Sequence, residues 1–474
     1  MTEQTIRVPG LDDDTNVLVN ASLKRLKDKT RRNRTRQKHY DAKRMVQQVS
    51  SILPPQYANL SLVLGWTAKG VDLLARRCNV VGVSCPGVDL DALGAGELWA
   101  DNAFQSQSNQ GITSALIHAA TLVTTTAGEV DEPDIVIQFH NALDATGFWN
   151  SRTHRLDSAF VVTDRREEYV TGFTLHEPDL VTTARFESGR WSIEASEPHS
   201  YGMTADVMPY RPRLGRPFGS SRITRPAMGI QDAAVRELLR LEGHMDIYSY
   251  PDLWLLGADL GIFMNSDGTP MSRHEVMMGR IKGIPDDENS KTNPRADVKQ
   301  FAASSPEPHL AALNAHAKLF AREMSLPDSS VAITDVSNPT SAEAYDASQY
   351  ELIAEAEGAT DDWSPALGRA FARGLAMLNN DPGMTDDLKD LTPKWRNPRF
   401  LTRAAEADAG VKQLTAVPWL ADTEVGLELL GLTEDQQARA MADKERAQAQ
   451  SLAAQIIAAA RTPQPVVEPA STEA

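Results

Sequence analysis

The stretch whose reading decides the fold is residues 169–195, YVTGFTLHEPDLVTTARFESGRWSIEA. Segments 169–174, 181–186 and 190–195 are rich in β-branched and aromatic residues. They alternate apolar with polar positions, the period of half-buried strands. Glu187-Ser188-Gly189 fits a hairpin turn between the last two. Strands this close, with no helix between them, make an antiparallel sheet and exclude an alternating βαβ array.

Working outward, 159–162 and 134–139 also read as strands, and 96–123 reads as helix. Segment 60–65 is an apolar run, and 69–78 is a helical pattern entering a strand at 79–84. A helix at 21–51 is ended by Pro54-Pro55, and residues 1–20 read as a loose arm. Downstream, a helix at 230–248 places Val235, Leu238, Leu239 and Met245 on one face. Segment 251–303 is irregular, with short strands near 253–256 and 261–264, a turn at Ser266-Asp267-Gly268 and a polar loop at 286–294. A second helix covers 306–324, opened by Ser304-Ser305-Pro306-Glu307. A polar connection, 325–339, leads to a capping box, Thr340-Ser341-Ala342-Glu343, and a long helix reaching 379. Gly358 and Ser364-Pro365 should bend or break that helix. Three Ala-rich helices, 401–414, 423–430 and 433–460, complete an α+β, predominantly helical chain. The Pro-containing tail from 462 reads as disordered.

Composition narrows the function. The 474 residues are 41% hydrophobic and 24% charged, a globular balance with room for several domains. The two cysteines, Cys78 and Cys85, exclude a disulfide scaffold and read as small buried hydrophobes. The first ten residues hold no apolar signal region, and no window has the ~18 apolar residues of a membrane span. The chain therefore reads as soluble and made in the cytoplasm. Charge is uneven. Residues 22–45 carry eleven Lys or Arg against two Asp, a local +9; because the whole chain carries −16, the rest carries −25. The basic helix faces either solvent and a protein partner or a nucleic acid. An acidic body makes any DNA contact loose, since phosphate affinity comes from Lys and Arg.

Catalytic motifs are missing. No GxxxxGK[ST] loop exists to cradle phosphates, and Gly65 to Gly70 reads as a turn and helix start. His274-Glu275 lacks the second histidine of HExxH. Gly82-Val83-Ser84-Cys85-Pro86-Gly87 has the wrong spacing for a nucleophile elbow. Asp12-Asp13-Asp14, Asp286-Asp287-Glu288 and Asp361-Asp362 read as solvated loops, not metal sites. No catalytic residue, metal ligand or cofactor is assigned. A hydrolase whose triad assembles only in space is one competing reading.

The order of several stretches carries a resemblance. They are Gly65-Trp66 with Val71-Asp72-Leu73-Leu74-Ala75-Arg76-Arg77-Cys78-Asn79-Val80-Val81-Gly82; Leu98-Trp99-Ala100-Asp101-Asn102; and Pro217-Phe218-Gly219-Ser220-Ser221-Arg222-Ile223 before Asp232-Ala233-Ala234-Val235-Arg236. Then come Gln300-Phe301, Pro308-His309 and Ser325-Leu326-Pro327; Ala342-Glu343-Ala344; and Trp395-Arg396-Asn397-Pro398, Ala407-Asp408-Ala409 and Leu430-Gly431-Leu432-Thr433. Together, over about 21–460, they resemble tailed-phage portal proteins, specifically the family common in actinobacterial siphophages. The usual glycine-rich turn after the first helix is replaced here by 46–55.

The resemblance implies a dodecameric ring at one capsid vertex of the virion, with another virion structural or head-maturation protein as the alternative. Double-stranded DNA would pass through its channel, without sequence specificity, in packaging and ejection. Implied partners are further copies of the chain, the major capsid and scaffolding proteins, the terminase large subunit and the head–tail adaptor; neither a membrane nor a cofactor is implied. The implied parts are a flexible arm (1–20), wing (21–229), first stem helix (230–248), clip (249–303), second stem helix (304–324), tunnel loop (325–339), long wing helix (340–384), crown (385–460) and disordered tail (461–474). DNA-channel candidates are Lys318, Arg322, Asp328, Ser329, Ser330, Thr334, Ser337 and Asn338. Clip docking candidates are Asp286, Asp287, Glu288, Asn289, Lys291 and Arg295. Lys318 and Arg322 have a second reading, as cations that offset a helix C-terminus and pair with neighbouring acids.

Overall fold

The computed structural model describes residues 4–43, 62–248, 253–256, 264, 267–269, 297–300, 304–332, 347–399 and 403–461. They form two compact units, Met1–Pro393 and Lys394–Ala474.

The larger unit begins with a correction. Residues 4–11 are not a loose arm, because Ile6 and Val8 are each only 1% exposed. They enter a core made by Val19, Leu26, Phe160, Val170, Phe173 and Leu175. The first helix, α1 (Asp13–Tyr40), starts eight residues before the expected point, capped by Asp12, whose Oδ1 accepts from the Thr15 amide at 2.7 Å. The aspartate triplet is thus a helix start. Asn16 and Asn20, poor helix formers, earn their places through side chains: their Oδ1 atoms accept from the Val8 and Ile6 amides, both at 2.9 Å. Gln4 pairs with the backbone of Val170 in both directions. Ile6→Ala should therefore cost about 2–5 kcal/mol by removing buried methyl groups and leaving a cavity. Denaturant unfolding reads this directly; a change under about 0.5 kcal/mol, the scale of a surface substitution, would show the segment undocked.

Helix α2 (Trp66–Ala75) lies three residues before the expected 69–78, and strand β1 (Val80–Ser84) lies where the pattern put it. The expected helix 96–123 divides into α3 (Ala95–Asp101) and α4 (Phe104–His118), and its last part is strand β2 (Ala120–Ala127). Asn102 explains the break. Its side chain accepts from the Ile137 amide at 2.7 Å and donates to the Ile135 carbonyl at 2.9 Å, pinning the turn to β3 (Ile135–Asn141). The β-branched Thr121, Thr124, Thr125 and Thr126 then suit an extended chain.

A five-stranded antiparallel meander follows: β4 (Ala145–Asn150), β5 (Arg155–Arg166), β6 (Tyr169–His176), β7 (Leu180–Glu187) and β8 (Arg190–Pro198). The β7–β8 turn has φ of +51° at Ser188 and +82° at Gly189, the two positive angles of a tight hairpin. Strand β9 (Ala205–Pro209) pairs with β2, which also pairs with β3, in a second antiparallel sheet. The sequence pattern gave no sign of β4 or β9.

Helix α5 (Arg225–Tyr248) starts five residues earlier than expected, with the Ala227 amide donating to Thr224 Oγ1. Leu238 on the expected apolar face is half-buried, and Met245 is exposed. Strands β10 (Leu253–Leu256) and β11 (Asp297–Gln300) pair antiparallel, closing the two ends of the intervening excursion. Helix α6 (Glu307–Glu323) returns along α5. Thr224 meets Glu323, Glu237 meets His309 and His244 meets Ser304, so the two helices are antiparallel.

Helix α7 (Tyr350–Leu378) runs unbroken through Pro365. The expected break fails because Trp363, Leu367, Phe371 and Leu375 are fully buried along one side. That burial offsets the ~3 kcal/mol cost of an internal proline. The rings of Trp99, Phe104 and Phe371 meet at 5.0–6.1 Å. Gly368 lets the backbone approach closely: a Cβ there would lie 2.4 Å from the Leu391 carbonyl oxygen. A short turn, α8 (Met384–Asp387), follows.

In the second unit the three expected helices are present as α9 (Arg403–Ala416), α10 (Glu424–Leu429) and α11 (Glu434–Arg461). Thr423 caps α10 by accepting from the Gly426 amide. Gln436 reaches back to the Thr433 amide at 3.1 Å, half of a capping box. Gly431, at φ +76°, ends α10.

Candidate functional site: the antiparallel helix pair and its anchor

The candidate conduit elements are α5 and α6, and the structure shows how they are fastened. Along the pair, His309 Nδ1 donates to Glu237 Oε1 at 2.6 Å and Arg240 to Glu237 Oε2 at 2.9 Å. Burial would raise the Glu237 pKa, but these two donors and their charge outweigh it and hold the carboxyl below its ordinary value. His244 Nε2 donates to the Ser304 carbonyl, and its ring meets that of His309 edge-on at 5.0 Å.

The end of α6 is held by Arg222, whose side chain is 2% exposed. Its Nε donates to the Gly70 carbonyl at 2.8 Å, and one terminal nitrogen reaches Tyr210 Oη at 3.1 Å and Glu355 Oε1 at 2.7 Å. The other donates to the Met324 carbonyl, just past the α6 C-terminus. One planar guanidinium thus joins α2, β9's exit, α6 and α7. Tyr210 and Arg211 also bind Glu355. Desolvation would raise Glu355, but Arg222, Tyr210 and Arg211 together hold it low. Burial chiefly drives the Tyr210 phenol upward, so it stays a neutral donor.

A second buried pairing fixes α7 to the three-stranded sheet. Asp206 on β9 accepts from Arg369 Nε at 2.6 Å and from Arg373 at 3.0 Å. Nearby, burial pushes His176 down to about 3, with His140 and Arg373 adding to the effect; its Nδ1 lies 2.8 Å from Thr204 Oγ1.

Lys318 and Arg322 are both exposed on α6, with Arg322 in the last turn. Neither forms an ion pair among the described residues. After Ser325, at φ +49°, Leu326 and Pro327 turn into the body and are buried. Asp328, Ser329 and Ser330 form a single 3-10 turn; Asp328 and Ser329 are exposed and Ser330 is half-buried. Thr334, Ser337 and Asn338 lie outside the described residues, as do the docking candidates Asp286, Asp287, Glu288, Asn289, Lys291 and Arg295. The same holds for His274-Glu275, the strand expected near 261–264 except Met264, the capping box at 340–343 and the tail from 462; the helix expected to reach 51 instead ends at Tyr40, where the Asp41 amide donates to the Gln37 carbonyl. Cys78 and Cys85 are buried, as expected.

Among the described residues little serves hydrolytic chemistry. A cleft of about 350 Å³ is lined by Phe139, His140, Asp144, Asp164 and Arg165. Arg165 is paired with Asp144, and His140 is spent on Thr124. Among the described residues no group of His, Cys, Asp or Glu could hold a metal ion. No helix among them is long and apolar enough to cross a membrane.

What the fold and its fastened helix pair define is a structural class. Residues 22–451 match the phage portal protein family described as SPP1 Gp6-like, and the chain belongs to that family. Members are structural components of the virion, not enzymes. The chain is 24% identical over 422 residues to the portal protein of Mycobacterium phage L5, covering 86% of this chain and 84% of the relative. It is 24% identical over 421 residues to that of Mycobacterium phage D29, with the same coverage. Among solved structures it is similar to a chain from the neck of a native gene transfer agent particle, with a TM-score of 0.41 and 15% identity. That match covers 77% of this chain and 89% of the other.

Proposed function

We propose that the chain forms a homo-oligomeric ring, a dodecamer, at one capsid vertex, through which duplex DNA passes during packaging and ejection. The observation that carries this reading is the family match over residues 22–451, which spans both compact units. In this reading α5 and α6 are the stem. The excursion between them is the clip that docks the terminase large subunit and then the head–tail adaptor, with the β10–β11 pair at its root. The connection after α6 is the tunnel loop, and α9 to α11 belong to the crown. Major capsid and scaffolding proteins meet the wing. The chemistry supports a conduit. A channel must let phosphates slide, and a chain of net charge −16 holds them weakly. Lys318 and Arg322, exposed and without ion pairs among the described residues, are the cations of α6 available to phosphate. The purified protein should appear in negative-stain images as rings with a central hole. A uniform population of compact monomers at every concentration would reject the reading.

A further inference from the structure

Four arginines cluster without an ion pair among the described residues. Arg32 and Arg36 are one turn apart on α1. Arg216 lies in the tight turn closed by the Arg213–Arg216 bridge, and Arg225 is the first residue of α5, where the helix end is itself positive. Burial first, then the charges of Arg32, Arg216 and Arg225, push Arg36 down to about 10. Arg36 reaches the carbonyl of His118 at the end of α4, while its Nε and the His118 Nδ1 are buried with no acceptor or donor. The carboxylates that act on His118, Asp41 and Asp144, are paired with Lys43 and Arg165. Among the described residues none of the four arginines forms an ion pair.

A complementary feature lies elsewhere on the same unit. Asp386, Asp387 and Asp390 are exposed around α8 and form no ion pair among the described residues, with Lys389 as the one cation between them. The two features sit at opposite ends of the α3–α4 segment. Arg36 touches the C-terminus of α4. The residues leading to α8 follow Leu378 and Asn379, which pack on Gly94 and Leu93 before α3. Helix α4 alone, fifteen residues long, separates them by roughly 20 Å. Two different complementary patches on one chain are what a head-to-tail contact requires, and such contacts close into rings.

We propose that the arginine cluster of one copy docks on the Asp386–Asp387–Asp390 surface of the next copy, so that each site is completed only by its neighbour. This rests on the ring assembly proposed above. Duplex DNA is the less favoured occupant, because four forked guanidiniums would grip phosphates that must slide, and the rest of the chain repels them.

The test uses the full-length protein. The exposed arginines are reversed (R32E/R216E/R225E), the carboxylates are reversed (D386K/D387K/D390K), and a third variant carries both sets. Circular dichroism confirms folding, and native mass spectrometry with electron microscopy counts rings. Each single reversal should lower ring association by about tenfold or more, because like charges then face each other. The combined reversal should restore it, and salt should weaken the wild-type ring. Rings unchanged in the single reversals, or no rescue in the combined variant, would overturn the proposal. Intact rings that lose retention of a duplex DNA probe would overturn it in favour of a DNA site. If the wild type forms no rings, the assembly reading fails first and this contact with it.

Discussion

Replacing Arg222 by methionine is expected to destabilise the larger unit by about 3–5 kcal/mol, the scale for removing one partner of a buried ion pair. The substitution keeps much of the volume but removes every donor. Glu355 would then keep the Tyr210 hydroxyl and, as its one cation, the half-exposed Arg211, and the Gly70 and Met324 carbonyls would lose a buried partner. Each unsatisfied buried acceptor costs about 1–3 kcal/mol. Arg222→Lys should recover only part of the loss, since an ammonium lacks the planar fork that serves four acceptors in different directions. Chemical denaturation of both variants measures the difference. Equal stability of Arg222→Met and the wild type would show that the network contributes nothing. The consequence for the conduit is specific. Arg222 binds the carbonyl immediately after α6, so its loss should loosen the α6 end before it disturbs the five-stranded sheet. Hydrogen exchange should show faster amides near 320–330 and unchanged amides in β5 to β7.

Replacing Asp206 by leucine is expected to have an effect of similar size, about 3–5 kcal/mol, by a different route. Arg373 is 7% exposed on its side chain and already has its Nε and one terminal nitrogen without partners. Removing its carboxylate leaves a buried cation beside His176, which has no proton to give up at neutral pH. The partner substitution Arg373→Met in the same chain should recover much of the stability, because a pair replaced by apolar side chains no longer buries a charge. A double variant no more stable than Asp206→Leu would show that Asp206 acts through Arg369 or by packing alone.

The local signals in this chain were readable because their causes are local. Period-two alternation in 169–195 encodes β6 to β8, and Ser188-Gly189 supplies the two positive angles the turn demands. The α5 face carrying Val235 and Leu239 follows from residues within two turns of each other, as do the Thr423 and Thr433 helix starts and the Gly431 stop seen in the structure. The missing phosphate loop was equally a matter of adjacent residues. The identity of the family lay in the order of many weak stretches, none sufficient alone, and the family match spans all of them.

What only the tertiary structure decided depends on residues far apart in the chain. Ile6 and Val8 already alternate, but a two-residue alternation beside an aspartate triplet is too short a signal, and it is the β5–β6 core that makes it an anchored segment. Pro365 sits in an unbroken helix because burial of α7 outweighs the local penalty. Arg222 lies in a stretch that carried the resemblance, yet its partners Gly70, Met324 and Glu355 are more than a hundred positions away, as Arg373 is from Asp206. Nothing in sequence spacing marks which of the 48 basic residues will be desolvated. That is decided when the chain closes around them, because a charge removed from water must find its counter-charge wherever the packing brings one.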